Sequence, residues 1–315
     1  LPVLLAALWA LWALLRPAGE GAGLAQVTQR VLGRPLGRLV LLLCLGWGLL
    51  LLAANARLFS LRFLSTSYSN SPAGLFLAVL LALALWLAWK PVRVLARAGE
   101  IFRLALAVGL AFSLALGAFQ IEPRHVLPIW TEDVPGLLSA ALPVLGLLGY
   151  GLFAAFLGGN VTRTENDRRR LLVWGAVFCL VLTALQLMCQ GNFGPTLTAR
   201  ADTPFFLMVK GIGIEGTFQR VESLIIALWV FSDLALLALL ASSCAALAQA
   251  VFSLKERRHA AVPVAGLALA GAWLLFPDAF SLDRWMENVV WPGNLLLGFG
   301  LPVLLLLVKK LRGQV

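Results

Sequence analysis

Charged residues are scarce in this chain, at 13% of 315 residues, whereas 61% of the residues are hydrophobic. A soluble protein of this size needs more charge to cover its surface, so the composition excludes the soluble globular class. The mean hydropathy is +0.91, which indicates repeated crossing of a lipid bilayer. We therefore predict an all-α polytopic membrane protein.

Histidine and cysteine are also scarce, with two and four residues. The four cysteines lie in apolar runs without metal-ligand spacing, which favours packing of small side chains over disulfides or metal binding. The sequence has no His/Cys/Asp/Glu cluster, no glycine-rich phosphate loop and no nucleophile elbow. We therefore expect a protein that is not an enzyme and that needs no cofactor or metal.

Nine apolar runs approach the length of about 20 residues that a spanning helix needs. We number as spans one to nine the approximate ranges 1–15, 36–58, 72–89, 101–119, 135–157, 171–189, 221–252, 260–280 and 292–308. Of the 25 Lys and Arg residues, 18 fall in alternate loops on one side. By the positive-inside rule that side, which includes the C-terminus, is cytoplasmic. The net charge of +10 then indicates membrane orientation and not nucleic-acid binding.

The chain begins inside an apolar run and has no initiator methionine. Nine spans with a cytoplasmic C-terminus place the N-terminus outside. We expect residues 1–315 to form a single, N-terminally truncated transmembrane domain, with one upstream helix bringing the total to ten. A signal peptide is the competing interpretation of residues 1–15, but they lack a basic N-terminal region and a small-residue cleavage site.

Asp233 lies in the middle of span seven, the longest apolar run. An intramembrane carboxylate is costly, and such acids often mark a ligand or ion path. Glu222 and Cys244 lie eleven residues to either side, or about three helical turns, so they share its face. We assign Glu222 and Arg220 to an outer vestibule. The alternatives are that a neighbouring group satisfies Asp233, and that the helix dipole favours Glu222 in the first turn.

Span five carries Pro143, Gly146, Gly149 and Gly151 within nine positions. Proline removes a backbone donor, and glycine lowers the cost of leaving helical dihedral angles. A helix that breaks within a membrane exposes backbone groups that a ligand can satisfy, so this segment and Tyr150 are predicted to line a pocket. The alternative is that the glycines only allow close helix packing.

Residues 191–219 combine prolines and glycines with the apolar run 205–209. This stretch is too short and too interrupted to span a bilayer. It is predicted to be an amphipathic segment at the outer surface, either a lid over the entrance or a plain loop with an interfacial helix.

Residues 203–206 are Thr-Pro-Phe-Phe, residues 211–213 are Gly-Ile-Gly, and residues 218–224 are Phe-Gln-Arg-Val-Glu-Ser-Leu, followed by Trp229. This pattern resembles the segment that leads into the eighth helix of spore germination permeases. These are the B subunits of endospore germinant receptors, within the amino acid/polyamine/organocation transporter superfamily. Residues 92–100 and the C-terminal helix also resemble that family, so the resemblance covers nearly the whole chain.

The resemblance implies the leucine-transporter fold, two inverted repeats of five helices in which helices one and six are broken. Spans one to nine are then family helices two to ten, and span five is helix six. Spans two and seven become helices three and eight, which face the central site. The expected ligand-binding residues are Asn55, Gly146, Gly149, Tyr150, Gly151 and Asp233.

The resemblance also implies a function and partners. The complete protein is expected to bind a small germinant, an amino acid, in the inner spore membrane and to trigger germination. Its expected partners, besides the lipid bilayer, are a lipoprotein C-type subunit and a large A-type subunit. Two alternatives stay open: an ion-coupled amino acid transporter in which Asp233 titrates, and a structural subunit that binds no ligand.

Overall fold

The computed structural model describes residues 1–19, 21–66, 72–126, 134–162, 164–201, 203–211 and 221–313. Within these ranges the regular secondary structure is helical and includes no β-strand, so the predicted all-α class is confirmed. Long apolar runs favour helices because each helix satisfies its backbone N–H and C=O groups internally.

Fourteen α-helices lie in the described ranges. They are α1 (Pro2–Leu15), α2 (Leu24–Leu32), α3 (Arg34–Thr66), α4 (Ala73–Trp89), α5 (Val92–Ala118), α6 (Val134–Leu148), α7 (Gly151–Phe156), α8 (Asp167–Arg200), α9 (Pro204–Gly211), α10 (Val221–Phe252), α11 (Arg258–Leu274), α12 (Ala279–Trp285), α13 (Trp291–Asn294) and α14 (Leu301–Leu311). Two π-helical turns, Met286–Val290 and Leu295–Gly300, join the last three helices into one continuous segment.

Each of the nine predicted spans coincides with helical backbone, but the lengths differ. Among the described residues, six helical segments are long and apolar enough to cross a membrane: Arg34–Ser65, Val92–Ala118, Ser139–Phe156, Asp167–Arg200, Ile226–Phe252 and Ala279–Leu311. Two more, Pro2–Ala18 and Ala73–Trp89, are apolar but shorter. The chain therefore has several candidate membrane-spanning helices, and nine crossings stay a prediction.

The described residues form two compact units. The first contains Leu1–Arg97, Ala141–Leu172 and Asp233–Val315, and the second contains Ala98–Ala140 and Val173–Ser232. In the first unit, α3 packs against α2, α4, α11 and α12, and α1 packs against α14. Leu51 and Leu52 of α3 are fully buried by this packing. The first unit contains most of the predicted site residues.

The second unit has a small apolar core formed by α8, α9 and the first part of α10. Its buried residues are Met188, Phe206, Met208, Val209 and Leu228. The prediction of a loop from residue 191 was wrong in part, since α8 continues to Arg200 through a kink at Gly194. Gly194 has a φ of 75°, which glycine adopts without the strain of a side chain. Helix α9 lies within the stretch for which an interfacial helix was one prediction, and its position at a membrane surface stays a prediction. Residues 212–220 of the predicted lid lie outside the described residues.

Candidate functional site

Asn55 and Tyr150, two predicted ligand-binding residues, are in direct contact. Asn55 Nδ2 of α3 donates hydrogen bonds to the hydroxyl oxygen of Tyr150 at 2.9 Å and to the carbonyl oxygen of Leu51 at 2.7 Å. Tyr150 lies in the turn between α6 and α7. The contact therefore joins α3 to the segment that the sequence marked as irregular.

Asn294, which is not among the predicted site residues, completes this polar cluster. Its side chain is 1% exposed, and its Oδ1 accepts a hydrogen bond of 2.9 Å from Nε1 of Trp47 on α3. The hydroxyl of Tyr150 also lies beside the Asn294 side chain. We refer to Trp47, Asn55, Tyr150 and Asn294 as the amide cluster.

Gly146 and Gly149 allow α6 to lie directly against α13. A Cβ atom on Gly146 would lie 2.6 Å from Cβ of Trp291, and a Cβ atom on Gly149 would lie 2.5 Å from the carbonyl oxygen of Asn294. Real Cβ atoms do not approach other atoms so closely. By contrast, a Cβ atom on Gly151 would meet nothing within 4 Å. Close packing therefore accounts for Gly146 and Gly149, and the structure gives Gly151 no such role.

The predicted break in span five takes the form of a tight turn. The amides of Gly149, Leu152 and Phe153 bond to the carbonyls three residues earlier, at 3.1 to 3.2 Å. Pro143 lies within the regular part of α6. At Gly149 and Tyr150 the backbone hydrogen bonds therefore change from the α-helical spacing of four residues to a spacing of three. The turn contains no long unwound stretch. This turn aims the Tyr150 side chain at Asn55.

Asp233 of α10 forms an ion pair with Arg62 of α3, in which the Asp233 Oδ2 atom lies 3.2 Å from Nη1 of Arg62. The two side chains are only 19% and 26% exposed. Arg62 follows the predicted end of span two at residue 58, but α3 continues to Thr66 and keeps Arg62 on the helix. Arg62 follows Asn55 by seven residues, or two turns, so both lie on one face of α3 about 10 Å apart.

The predicted stripe on α10 is confirmed for Asp233 and Cys244, because both contact α3. A Cβ atom on Gly48 of α3 would lie 2.6 Å from Sγ of Cys244. One residue earlier, the Ser243 hydroxyl donates a hydrogen bond of 2.8 Å to the carbonyl oxygen of Phe153 in α7. The second half of α10 is therefore anchored to both α3 and α7.

The predicted outer vestibule cannot be located from the structure, since Arg220 and the side chain of Glu222 lie outside the described residues. The four cysteines are free, and Cys44, Cys189 and Cys244 are buried, in keeping with their predicted packing role. Within the described residues, no group of three or more His, Cys, Asp or Glu side chains is arranged to hold a metal ion.

The spore permease family, described as spore germination protein, has a sequence model that matches residues 3–275. The chain belongs to this family of spore germination proteins. The family is of membrane permease and receptor type and is not an enzyme family. Membership of this family and the long apolar helices together indicate that the chain is an integral membrane protein. The family match includes Asn55, Arg62, Tyr150 and Asp233, and it ends before Asn294.

A similar family member is YfkT of Bacillus subtilis (strain 168), which is provisionally named a spore germination protein. The two proteins are 24% identical over 199 residues, which cover 62% of this chain and 53% of YfkT. The chain therefore spans about half the length of this curated relative.

Three residues of the site were missed by sequence reasoning: Trp47, Arg62 and Asn294. Asn294 had the same signal as Asp233, a polar side chain inside an apolar run, here span nine. Arg62 follows Asn55 at helical spacing. The apolar run ends before Arg62, so hydropathy did not indicate that the helix continues. Trp47 carried no distinguishing signal, since tryptophan is common throughout this chain, which contains eleven.

Proposed function

We propose that the full-length protein is a membrane subunit of a germinant receptor that binds a small germinant, an amino acid, and triggers spore germination. The observation that carries the proposal is the contact between Asn55 and Tyr150, beside Asn294. Uncharged polar groups from α3, the α6–α7 turn and α13 meet there within largely apolar helices. Such convergent polar groups in an apolar setting fix the orientation of a small ligand.

The charge pair two turns further along α3 supports an amino acid as the ligand. A free amino acid carries both an ammonium and a carboxylate group, and Asp233 and Arg62 offer one partner to each. The ammonium group would compete with Arg62 for Asp233. Because the pair is only partly exposed, a zwitterion that replaces both internal contacts leaves no charge unpaired.

The wider organisation of the receptor belongs to the same proposal. The full-length protein would have ten membrane crossings as two inverted repeats of five, with its C-terminus in the cytoplasm. It would act in the inner spore membrane with an A-type and a C-type subunit. Membership of a spore germination family supports this setting.

A Tyr150→Phe substitution in the full-length protein tests the proposed site in spores. It removes one hydroxyl group, and with it the hydrogen bond from Asn55. One such bond is worth about 1 kcal/mol, so the germinant concentration for a half-maximal response should rise several-fold. Ser139→Ala is the matched control, since the Ser139 hydroxyl donates to the Gly136 carbonyl of the preceding turn and is exposed. An unchanged response at normal protein abundance would contradict the site.

An ion-coupled amino acid transporter is the second candidate, and the Arg62–Asp233 pair favours it. A carboxylate that exchanges its arginine partner for a proton or a substrate is suited to coupling. Uptake of labelled amino acids into proteoliposomes, driven by a proton gradient and lost in Asp233→Asn, would support transport. Binding without uptake would support the receptor.

A further inference from the structure

Asn294 has an unused hydrogen-bond donor in a buried position. Asn294 is 1% exposed, and its Nδ2 atom makes no hydrogen bond of standard geometry among the described residues, although the Tyr150 hydroxyl lies beside this side chain. Most buried polar groups in proteins are hydrogen-bonded, so an orphan donor of this kind calls for an acceptor from elsewhere.

The direction of this donor is fixed by Trp47. The indole Nε1–H can only donate, so the atom of Asn294 that faces it at 2.9 Å must be the acceptor Oδ1. Rotating the amide by half a turn would set two donors against each other. The Nδ2 group is therefore held on the side away from Trp47.

The surroundings of Asn294 favour a ligand. The residue ends α13, between two π-helical turns that widen the helix on either side, and such turns are frequent at functional sites. The Tyr150 hydroxyl lies beside the same side chain. An oxygen atom that accepts from Asn294 Nδ2 would thus lie close to a hydroxyl that already belongs to the candidate site.

We propose that Asn294 Nδ2 donates a hydrogen bond to the carboxylate of the ligand and so selects for that group. This inference rests on the proposed function, in which the ligand is an amino acid. A carboxylate only accepts hydrogen bonds, which matches a fixed donor held in place by Trp47. In this arrangement the ligand carboxylate would accept from Asn294 as well as pair with Arg62, and the ammonium group would pair with Asp233.

The test compares each of the twenty L-amino acids with its carboxamide by equilibrium binding to purified full-length protein. The wild type should bind the carboxylate form more tightly. In Asn294→Asp the new carboxylate still accepts from Trp47 but repels the ligand carboxylate, whereas it accepts from the NH₂ of a carboxamide. The dissociation constant of the amino acid should rise about tenfold or more, corresponding to one charge-assisted hydrogen bond, while that of the carboxamide stays or falls.

A second variant, Asn294→Ala, removes the donor without adding charge. It should weaken binding of the amino acid more than binding of its carboxamide, and it keeps the test decisive if Asn294→Asp does not accumulate. Equal changes for both ligand forms, or no change because water satisfies the donor, would overturn the role of Asn294. If the wild type binds none of the amino acids, the proposed function itself fails, which is a distinct result.

Discussion

Arg62 and Asp233 illustrate how single charged residues are accommodated in apolar helices. Each charge loses much of its hydration when it is packed between α3 and α10, and their mutual attraction at 3.2 Å offsets that loss. Removing either partner leaves the other charge without this compensation. Either charge alone would therefore destabilise the folded protein, unless a ligand takes the place of the missing partner.

A double-mutant cycle measures this coupling. Asp233→Asn and Arg62→Gln should each lower the thermal unfolding midpoint of the purified full-length protein. The double variant should lose less stability than the sum of the two single losses, and the difference, the coupling energy, should be about 1–2 kcal/mol. Strictly additive losses would show that the two charges do not interact in the folded protein.

At the scale of elements, the contact of α6 with α13 depends on two glycines that have no space for a side chain. Gly149→Ala places a methyl group against the Asn294 backbone, where overpacking costs about 1–3 kcal/mol. We therefore expect a lower unfolding midpoint for Gly149→Ala.

Gly151→Ala is the matched control, two residues away at the start of α7. A Cβ atom there meets nothing within 4 Å, so the midpoint should stay the same or rise slightly, because alanine favours helices. Equal midpoints for the two variants would contradict the close contact between α6 and α13.

Helices α4 and α11 pack against each other, and an arginine binds the C-terminal end of each: Arg57, which is buried, and Arg257, which is partly buried. Arg57 donates from Nε and Nη2 to the carbonyl oxygens of Phe276 and Pro277, at 2.9 and 2.6 Å, just after α11. Arg257 donates from Nη2 to the carbonyl oxygens of Ala88 and Lys90, at 3.2 and 2.6 Å. Positive charge is favourable at helix C-termini, where carbonyl groups lack helical partners.

Arg257→Lys tests how much the hydrogen bonds from Arg257 to the end of α4 contribute to stability. Burial lowers the pKa of the Arg257 guanidinium, because desolvation disfavours its charged form. Lysine replaces the planar fork with a single ammonium group, so we expect a loss of about 1–2 kcal/mol, read as a lower unfolding midpoint. Arg258→Lys, at the exposed neighbouring position, should leave the midpoint unchanged. Equal unfolding midpoints for the two variants would show that the Arg257 hydrogen bonds do not contribute to stability.

At the scale of the whole molecule, hydropathy predicted where helices lie but not where they end. The apolar runs located helical backbone at all nine predicted positions. Residues 195–200 are helical beyond the non-helical Gly194. Residues 59–66 are more polar yet stay helical, because backbone hydrogen bonds continue after the apolar side chains stop. This is why Arg62 lies on α3 instead of in a loop.

The candidate site could be predicted only in part. Glycine, proline and an isolated carboxylate are visible in a sequence, so Gly149, Tyr150 and Asp233 were selected. Their partners depend on which helices are neighbours, which a single sequence does not encode locally. Asn294 reaches Trp47 across 247 positions.

Equilibrium binding of labelled amino acids to the purified full-length protein shows whether the protein binds an amino acid at Tyr150. We expect saturable binding of at least one of the twenty L-amino acids, weakened several-fold by Tyr150→Phe and unaffected by Ser139→Ala. An absence of saturable binding in the folded wild type, or equal affinity in the wild type and Tyr150→Phe, would contradict this site.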